Sequence, residues 1–286
     1  MASMHRKVKS LNRINGAGHD ALFRAKRLLL GPLRVRRAHV YGVGIAKSGT
    51  RSLGRMFSGN VRAAHEPRVL PLIDKFFDWH GGRVSEPEMS AWLRARDREM
   101  ALEVDSSWLN VLMLDLLLRE FPEARFILTI RDCYSWLNST LNHSVRFRKV
   151  SPAQRVKARD FVFRRGGFVH APEERILREG GFYTLDGYFS GWAAHNGQVL
   201  ARVPPERLLV VRTDQIRHRA GEIADFAGLP RRAIRLQRTH EFQNPDKKDM
   251  LRKLDRDFLE RKVEQRCRPL MTQFFPEIKS LDDARL

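Results

Sequence analysis

The sequence has little cysteine and no long apolar run. Only two cysteines, Cys133 and Cys267, occur in 286 residues, and their separation matches neither a disulfide framework nor a zinc-ligand spacing. No stretch approaches the ~20 apolar residues that a membrane-spanning helix needs, and residues 1–7 do not lead into a signal-peptide apolar block. These absences predict a cytoplasmic protein in a reducing compartment, without a metal site.

Acidic residues are too few to balance the basic ones. The chain carries 53 Lys and Arg against 33 Asp and Glu, a net charge of +20, and within residues 1–40 ten basic side chains are opposed by Asp20 alone. Residues 1–37 lack a strand pattern and predict a basic tail with an amphipathic helix that ends near Gly31 and Pro32. This segment either contacts an anionic neighbour, such as a membrane surface rich in acidic lipids, or is solvated; the sequence leaves both open.

From residue 38 onward, strand-like and helix-like segments alternate, which is typical of a parallel sheet covered by helices. Strands are predicted at residues 39–45, 61–64, 101–105, 125–130 and 207–212, and an apolar helix at 108–121. Ser85, with Glu88, has the pattern of a capping box, and Thr184 is a predicted N-cap. We therefore expect an α/β fold, in three layers with a central parallel sheet flanked by helices, as one domain over residues 38–286.

The segment after the first predicted strand has the composition of a phosphate-binding loop. Gly42, Gly44 and Gly49 lie between a strand and a helix, where backbone N–H groups converge on an anion. In an ATP-binding P-loop the lysine follows the last glycine. Here Lys47 precedes Gly49, and this order argues against an ATPase.

A second anion site is predicted at the end of the strand over residues 125–130. Arg131 ends that strand, and Ser139 lies two helical turns further on roughly the same side. A guanidinium offers a bidentate fork to a phosphate, and a hydroxyl adds a directional donor. Two anion sites predict a cofactor with phosphates at two ends.

With these motifs the chain resembles the P-loop-like sulfotransferases, which pair a K-[ST]-G-[TS] loop with an Arg and a Ser eight residues apart. Residues 47–50, and Arg131 with Ser139, match that pattern. Residues 65–73, which begin His65-Glu66-Pro67-Arg68, resemble the segment of tyrosylprotein and bacterial sulfotransferases that supplies a catalytic carboxylate. The similarity covers about residues 38–145, with weaker correspondence near residues 207–216.

The resemblance implies in-line transfer of sulfonate from 3'-phosphoadenosine-5'-phosphosulfate, without a metal, leaving adenosine 3',5'-bisphosphate. Glu66 would be the general base, with a pKa raised by partial burial, and His65 the reserve candidate. Lys47 would neutralise charge on the leaving group. The 5'-phosphosulfate would be bound by the loop residues Lys47, Ser48, Gly49, Thr50, Arg51 and Ser52.

The acceptor is not fixed by any motif. A carbohydrate or glycolipid is our first expectation, since the basic surface suits anionic glycans, with protein tyrosine second and small phenols or amines third. One departure bears on catalysis: Asp105 stands where related enzymes often carry a second catalytic lysine, so that Arg51, Lys247 or Lys248 would have to replace it. Thr213 likewise stands where some relatives carry an adenine-contacting tyrosine.

Two other functions compete with this interpretation. A P-loop kinase or NTPase is opposed by the loop order and by the Arg131 and Ser139 pair. A basic nucleic-acid-binding protein without catalysis would explain the charge, but no recognisable motif with interleaved aromatics appears, and no nucleic-acid partner is expected. His143 and His195 are interpreted as core or surface residues.

Overall fold

Five parallel strands form the centre of the fold. The structure is a computed structural model and describes residues 36–57, 61–147, 151–238 and 250–286. The sheet has the order β2-β3-β1-β4-β5, with every neighbouring pair parallel. The strands are β1 (Val40–Gly42), β2 (Ala63–His65), β3 (Val104–Ser106), β4 (Arg125–Ile130) and β5 (Leu208–Arg212). The predicted α/β fold with a central parallel sheet is confirmed.

The winding of the sheet reverses at β1. From β1 the chain runs to β2 and returns to β3 on one side, then crosses to β4 and β5 on the other side. In open parallel sheets, ligands bind in the crevice beyond the carboxyl ends of the strands where the direction of winding reverses. The ends of β1, β3 and β4 therefore define where a site is expected.

Helices cover both faces of the sheet. They are α1 (Thr50–Arg55), α2 (Val69–His80), α3 (Glu86–Met100), α4 (Leu114–Glu120), α5 (Cys133–Phe147), α6 (Ala153–Phe163), α7 (Arg175–Glu179), α8 (Leu185–Arg202), α9 (Ala220–Phe226), α10 (Arg256–Arg266) and α11 (Arg268–Phe274). Both predicted caps are present: Ser85 and Glu88 form a capping box, and the Thr184 hydroxyl accepts from the Gly187 amide at 2.9 Å.

The predicted helix over 108–121 is divided. Trp108–Met113 is a 3-10 helix, and α4 begins only at Leu114. The Asn110 side chain donates to the Gly42 carbonyl at 3.2 Å and to the Asp105 carbonyl at 3.1 Å. This tether to β1 and β3 holds the first turns against the sheet, and we attribute the tighter winding to it.

Three apolar clusters pack around the strands and helices. Strand β4 is buried from Phe126 to Ile130, as expected for a parallel strand covered on both faces. Cys133 and Cys267 are both fully buried, and burial, together with the neighbouring Cys267, raises the pKa of the Cys133 thiol. Their distance in sequence gave no sign of this contact.

The predicted amphipathic helix within residues 1–37 lies outside the described residues. Of the helices that are described, none combines the length and apolar character needed to cross a bilayer.

Candidate functional site

A loop with two left-handed residues follows β1. Lys47 has φ 74° and Gly49 has φ 101°, while the Ser48 amide and hydroxyl both donate to the Ile45 carbonyl, at 3.1 and 2.7 Å. Left-handed backbone is costly for a lysine and persists only where the surroundings enforce it. The loop is therefore a fixed turn.

The carbonyl groups of this loop are held by side chains from other elements. These contacts are His195 Nε2 to Val43 at 2.9 Å, Trp136 Nε1 to Ala46 at 2.9 Å, and Thr213 Oγ1 to Ser48 at 2.5 Å. Thr213 is also 3.0 Å from the Ile130 carbonyl, so it links the loop to the end of β4. With the carbonyl oxygens engaged in this way, the loop is suited to present N–H groups to an anion.

Two glycines of the loop are required by close packing. A Cβ at Gly44 would lie 2.1 Å from the Thr129 hydroxyl, and one at Gly49 would lie 2.5 Å from Ile216 Cδ1. Gly49 is the N-cap of α1 and has no side chain to cap the first turn. Glycine thus allows the loop to lie directly against β4 and the segment after β5.

His195 supports this loop and is a core residue, one of the two placements, core or surface, that the sequence left open. Because the Val43 carbonyl only accepts, His195 Nε2 carries the proton of this bond. Burial lowers the pKa of His195 to about 4, although the bond to Val43 opposes the shift. The imidazole is neutral and structural.

Lys47 lies among other cations. Its pKa is lowered from 10.5 to about 8, mainly by burial and in addition by Arg131 and Arg51, while Glu66 opposes the shift. The structure therefore brings Lys47, Arg51, Arg131 and Glu66 together, from three separate parts of the sequence. A cluster of mutually repelling cations gains from a bound anion, which would compensate their charge.

Arg131 stands at the carboxyl end of β4. Its Nε donates to the Ser135 hydroxyl at 2.8 Å, and its pKa is lowered by burial. The Asp132 carboxylate accepts from the Ser135 amide at 2.8 Å and so caps α5. Ser139, one turn beyond Ser135 and half-buried, makes no hydrogen bond to Arg131 among the described residues. Its predicted part in a phosphate site stays a prediction.

Glu66 and His65 lie at the end of β2, the edge strand next to β3. The Glu66 carboxylate forms an ion pair with Arg155 Nη1 at 2.5 Å, and the Glu66 amide donates to the Ser106 carbonyl at 2.9 Å. Burial raises the pKa of Glu66, but Arg155 and His65 outweigh it, so the pKa is lowered overall. This is the reverse of the raised pKa expected from burial alone. Glu66 is ionised at neutral pH.

The His65 ring is held in one tautomer. Its Nδ1 is 3.2 Å from the Ser106 carbonyl, an acceptor, so that Nδ1 carries the proton. Burial lowers the pKa of His65, despite Glu66. The neutral ring leaves the Nε2 lone pair available, 3.9 Å from the nearer Glu66 oxygen.

Sequence reasoning assigned no role in the site to two arginines of α6 or to His143. Arg155 and Arg159 are one turn apart on α6, and both influence His143 on α5. Burial, followed by Lys47 and Arg159, lowers the pKa of His143 to about 4, so His143 belongs to the electrostatic environment of the loop. Arg159 is half-buried and has no hydrogen bond or ion pair within the described ranges. The spacing of the two arginines was the only available signal.

Asp105 is enclosed by the fold. Its Oδ2 pairs with Arg96 Nη1 at 2.9 Å, with both side chains at most 8% exposed. Lys247 and Lys248, considered as substitutes for the missing lysine, lie outside the described residues. Arg51 acts electrostatically on Lys47 and lowers its pKa.

The residues present fit a nucleotide with two anionic ends. Lys47, Arg51 and Arg131 supply positive charge, and Gly49 permits the left-handed turn that directs the loop into α1. Ser48 is fully buried and bonded within the loop, so it shapes the loop; Thr50 and Ser52 lie in the first turn of α1. No group of residues with metal-ligand geometry occurs in the part of the chain that is described.

Comparison with known proteins gives a family and similar structures. The family described as "Sulfotransferase domain" matches residues 39–216, a range that contains all five strands. A sulfotransferase from Alicyclobacillus acidocaldarius is 19% identical, with a TM-score of 0.46, over 83% of this chain and 96% of that chain. Sulfotransferase STF9 from Mycobacterium avium is 14% identical, with a TM-score of 0.43, over 92% and 82%. No curated protein sequence matches.

Proposed function

Since the chain belongs to the sulfotransferase-domain family, we propose that it transfers sulfonate from 3'-phosphoadenosine-5'-phosphosulfate to a hydroxyl or amine of an acceptor. The observation that carries the proposal is the cation cluster of Lys47, Arg51 and Arg131 at the ends of β1 and β4. When bound, the nucleotide supplies the sulfonate group and a bisphosphate leaving group. The remaining chemistry belongs to this chain's own side chains.

Lys47 has the central electrostatic role in this proposal. Its left-handed backbone and buried stem hold the ammonium where anionic oxygens would bind. Interactions that strengthen as charge develops on a leaving group lower the barrier more than they improve binding. Arg131, fixed by Ser135, would bind the second phosphate.

Glu66 is our first candidate for the general base. It is ionised, and its position is set by Arg155 and by the bond to Ser106. Its lowered pKa makes it a weaker proton acceptor than a carboxylate with a raised pKa. His65, neutral with a free Nε2 lone pair, is therefore a real competitor, and the two are distinguished by separate substitution.

A carbohydrate or glycolipid with anionic groups remains the proposed acceptor. Two partly exposed arginines of α6 support this acceptor. Arg155 is 35% exposed while it is paired with Glu66, and Arg159 lies half-buried one turn further along the helix. These guanidiniums could bind a carboxylate or sulfate on the acceptor. Contact of residues 1–37 with an anionic membrane would bring a glycolipid to the site and is part of the same proposal.

One feature favours sulfonate transfer over nucleotide hydrolysis. In P-loop NTPases a carboxylate near the end of a neighbouring strand holds magnesium. Asp105 has that place on β3, but it is paired with Arg96. Because Arg96 of α3 neutralises the buried Asp105 carboxylate, Asp105 is poorly suited to bind magnesium.

The first experiment measures stabilisation by ligands. Thermal shifts would be recorded with adenosine 3',5'-bisphosphate, with ATP plus magnesium, and with duplex DNA, each at two salt concentrations. We expect stabilisation by the bisphosphate at both concentrations. Stabilisation by ATP and magnesium alone would contradict the proposal, and salt-sensitive stabilisation by DNA alone would favour the nucleic-acid alternative.

The second experiment measures transfer of labelled sulfonate to glycans, glycolipids, tyrosine peptides and phenols. Lys47→Ala should lower kcat by about 100-fold or more, while Lys279→Ala, an exposed lysine, serves as the control. Glu66→Gln should lower turnover by about 100-fold with bisphosphate affinity nearly unchanged. Full activity in Glu66→Gln together with a loss in His65→Asn would reassign the base to His65.

A further inference from the structure

Two left-handed residues frame the loop that carries Glu66. Glu66 has φ 50° and Arg68 has φ 47°, with Pro67 between them. Such backbone in residues other than glycine persists only where several contacts enforce it. The Glu66 amide is fixed by the Ser106 carbonyl at 2.9 Å. A second contact is needed on the carboxyl side of the residue.

Arg96, on α3, supplies that contact. Its Nη2 donates to the Pro67 carbonyl at 2.9 Å, and its Nη1 donates to Asp105 Oδ2 at 2.9 Å. The same helix provides Glu99, whose carboxylate pairs with Arg68. Helix α3 therefore holds two successive residues of the loop.

Stability alone does not account for the buried pair of Arg96 and Asp105. Within the described residues, Arg96 Nε and Asp105 Oδ1 are buried without a hydrogen-bond partner. A buried ion pair with unsatisfied atoms is often no more stable than apolar residues of similar size. A guanidinium, however, binds a carboxylate and a carbonyl through two separate nitrogens held in one plane, whereas an ammonium would have to reach both groups from a single nitrogen.

The end of β3 also contacts the loop that carries Lys47. The Ser106 hydroxyl donates to the Thr50 carbonyl at 2.7 Å, while the Ser106 carbonyl accepts from the Glu66 amide. Strand β3 thus connects the Lys47 loop with the Glu66 loop through Ser106. Asp105, the preceding residue, adds the link through Arg96.

We propose that Arg96 is a positioning residue for sulfonate transfer: by binding Asp105 and the Pro67 carbonyl together, it fixes the backbone from which the Glu66 carboxylate projects. This inference rests on the proposed function, with Glu66 as the base. Position 105, where the resemblance led us to look for a second lysine, is used to anchor the base loop.

The test compares Arg96→Lys with Arg98→Lys in the full chain. Arg98 is exposed on the same helix, so the control makes an identical change where no loop contact depends on it. A lysine at position 96 keeps the charge but has a single nitrogen, and it loses the fork. Hydrogen exchange at the Glu66 amide, affinity for adenosine 3',5'-bisphosphate, and kcat and KM would be measured for each protein.

In Arg96→Lys we expect exchange at the Glu66 amide to rise by about tenfold or more and kcat to fall by about 10- to 100-fold. Affinity for the bisphosphate should stay within about twofold, since the Lys47 and Arg131 contacts are retained. Arg98→Lys should match the wild type in all measurements. The proposal would be overturned if exchange at the Glu66 amide and kcat were both unchanged in Arg96→Lys. It would also be overturned if affinity for the bisphosphate fell by the same factor as kcat.

The exchange measurement separates this proposal from the proposed function. If the wild type transfers no sulfonate, the proposed function fails, while exchange at Glu66 still decides whether Arg96 fixes the loop. If Arg96→Lys does not fold, the double variant Arg96→Leu with Asp105→Leu removes the pair without leaving a buried charge. Protected exchange in that folded variant would equally overturn the proposal.

Discussion

Binding of adenosine 3',5'-bisphosphate should weaken above pH 8 because Lys47 loses its proton there. In the free protein, burial and the neighbouring Arg131 and Arg51 lower the pKa of Lys47 to about 8. The protonated fraction then falls from about 90% at pH 7 to about 10% at pH 9. If only the protonated form binds, the apparent Kd rises about tenfold over this interval, or about 1.4 kcal/mol.

Calorimetric titrations between pH 6.5 and 9.5, in two buffers with different ionisation enthalpies, measure both the affinity and the proton uptake. At pH 8, about half of the free protein carries the Lys47 proton, and binding should take up about half a proton per site. Lys47→Arg should bind without this dependence, because a guanidinium stays protonated throughout the range. Lys279→Ala should reproduce the wild type.

The reasoning is refuted by a wild-type Kd that is flat from pH 7 to 9.5. It is equally refuted if Lys47→Arg shows the same rise, since the titrating group would then be another residue.

Three further predictions concern the scaffold of the site. His195 has a pKa of about 4 in the fold against 6.5 ordinarily, so the stabilisation from its neutral ring is fully present above pH 6.5 and is lost as the pH falls towards 4. Urea unfolding should therefore show a loss of about 3 kcal/mol in the free energy of unfolding over this range, and His195→Gln should not show it. Gly49→Ala places a Cβ 2.5 Å from Ile216 Cδ1 at φ 101°, and should lower the free energy of unfolding by about 2 to 3 kcal/mol. Adding Ile216→Val should recover part of this loss, whereas an unchanged free energy of unfolding in Gly49→Ala would contradict the prediction. Cys133 and Cys267 are fully buried, and neither should react with a thiol reagent until the chain is unfolded, when both should; rapid labelling of the folded protein would contradict the described packing.

The sequence was sufficient for those parts of the fold that depend on local patterns. Strand β4 has the predicted bounds of 125–130, and the caps at Ser85 and Thr184 are where the capping pattern placed them. Predicted strands 39–45 and 101–105 are shorter in the structure, at Val40–Gly42 and Val104–Ser106. The apolar residues continue into the loop after β1, where the backbone forms turns and no longer pairs with a neighbouring strand. The pattern of apolar residues cannot show where strand pairing ends.

The site was predictable to the extent that its residues lie at strand ends. Lys47, Glu66 and Arg131 could be placed at one edge of a parallel sheet, and the structure brings them together. Arg155 could not be found in this way, because its contact with Glu66 joins residues 89 positions apart and depends on how α6 packs. The direction of the Glu66 pKa followed from that missed contact.

The left-handed residues in the site have a consequence for protein engineering. Lys47, Glu66 and Arg68 occupy backbone conformations in which glycine would be less strained. A screen that selects only for thermal tolerance should therefore favour glycine at positions 47 and 66. Such variants would gain robustness while losing the charges on which the proposed chemistry depends, a trade-off between durability and activity. Mutagenesis aimed at higher thermal stability should therefore not include positions 47 and 66.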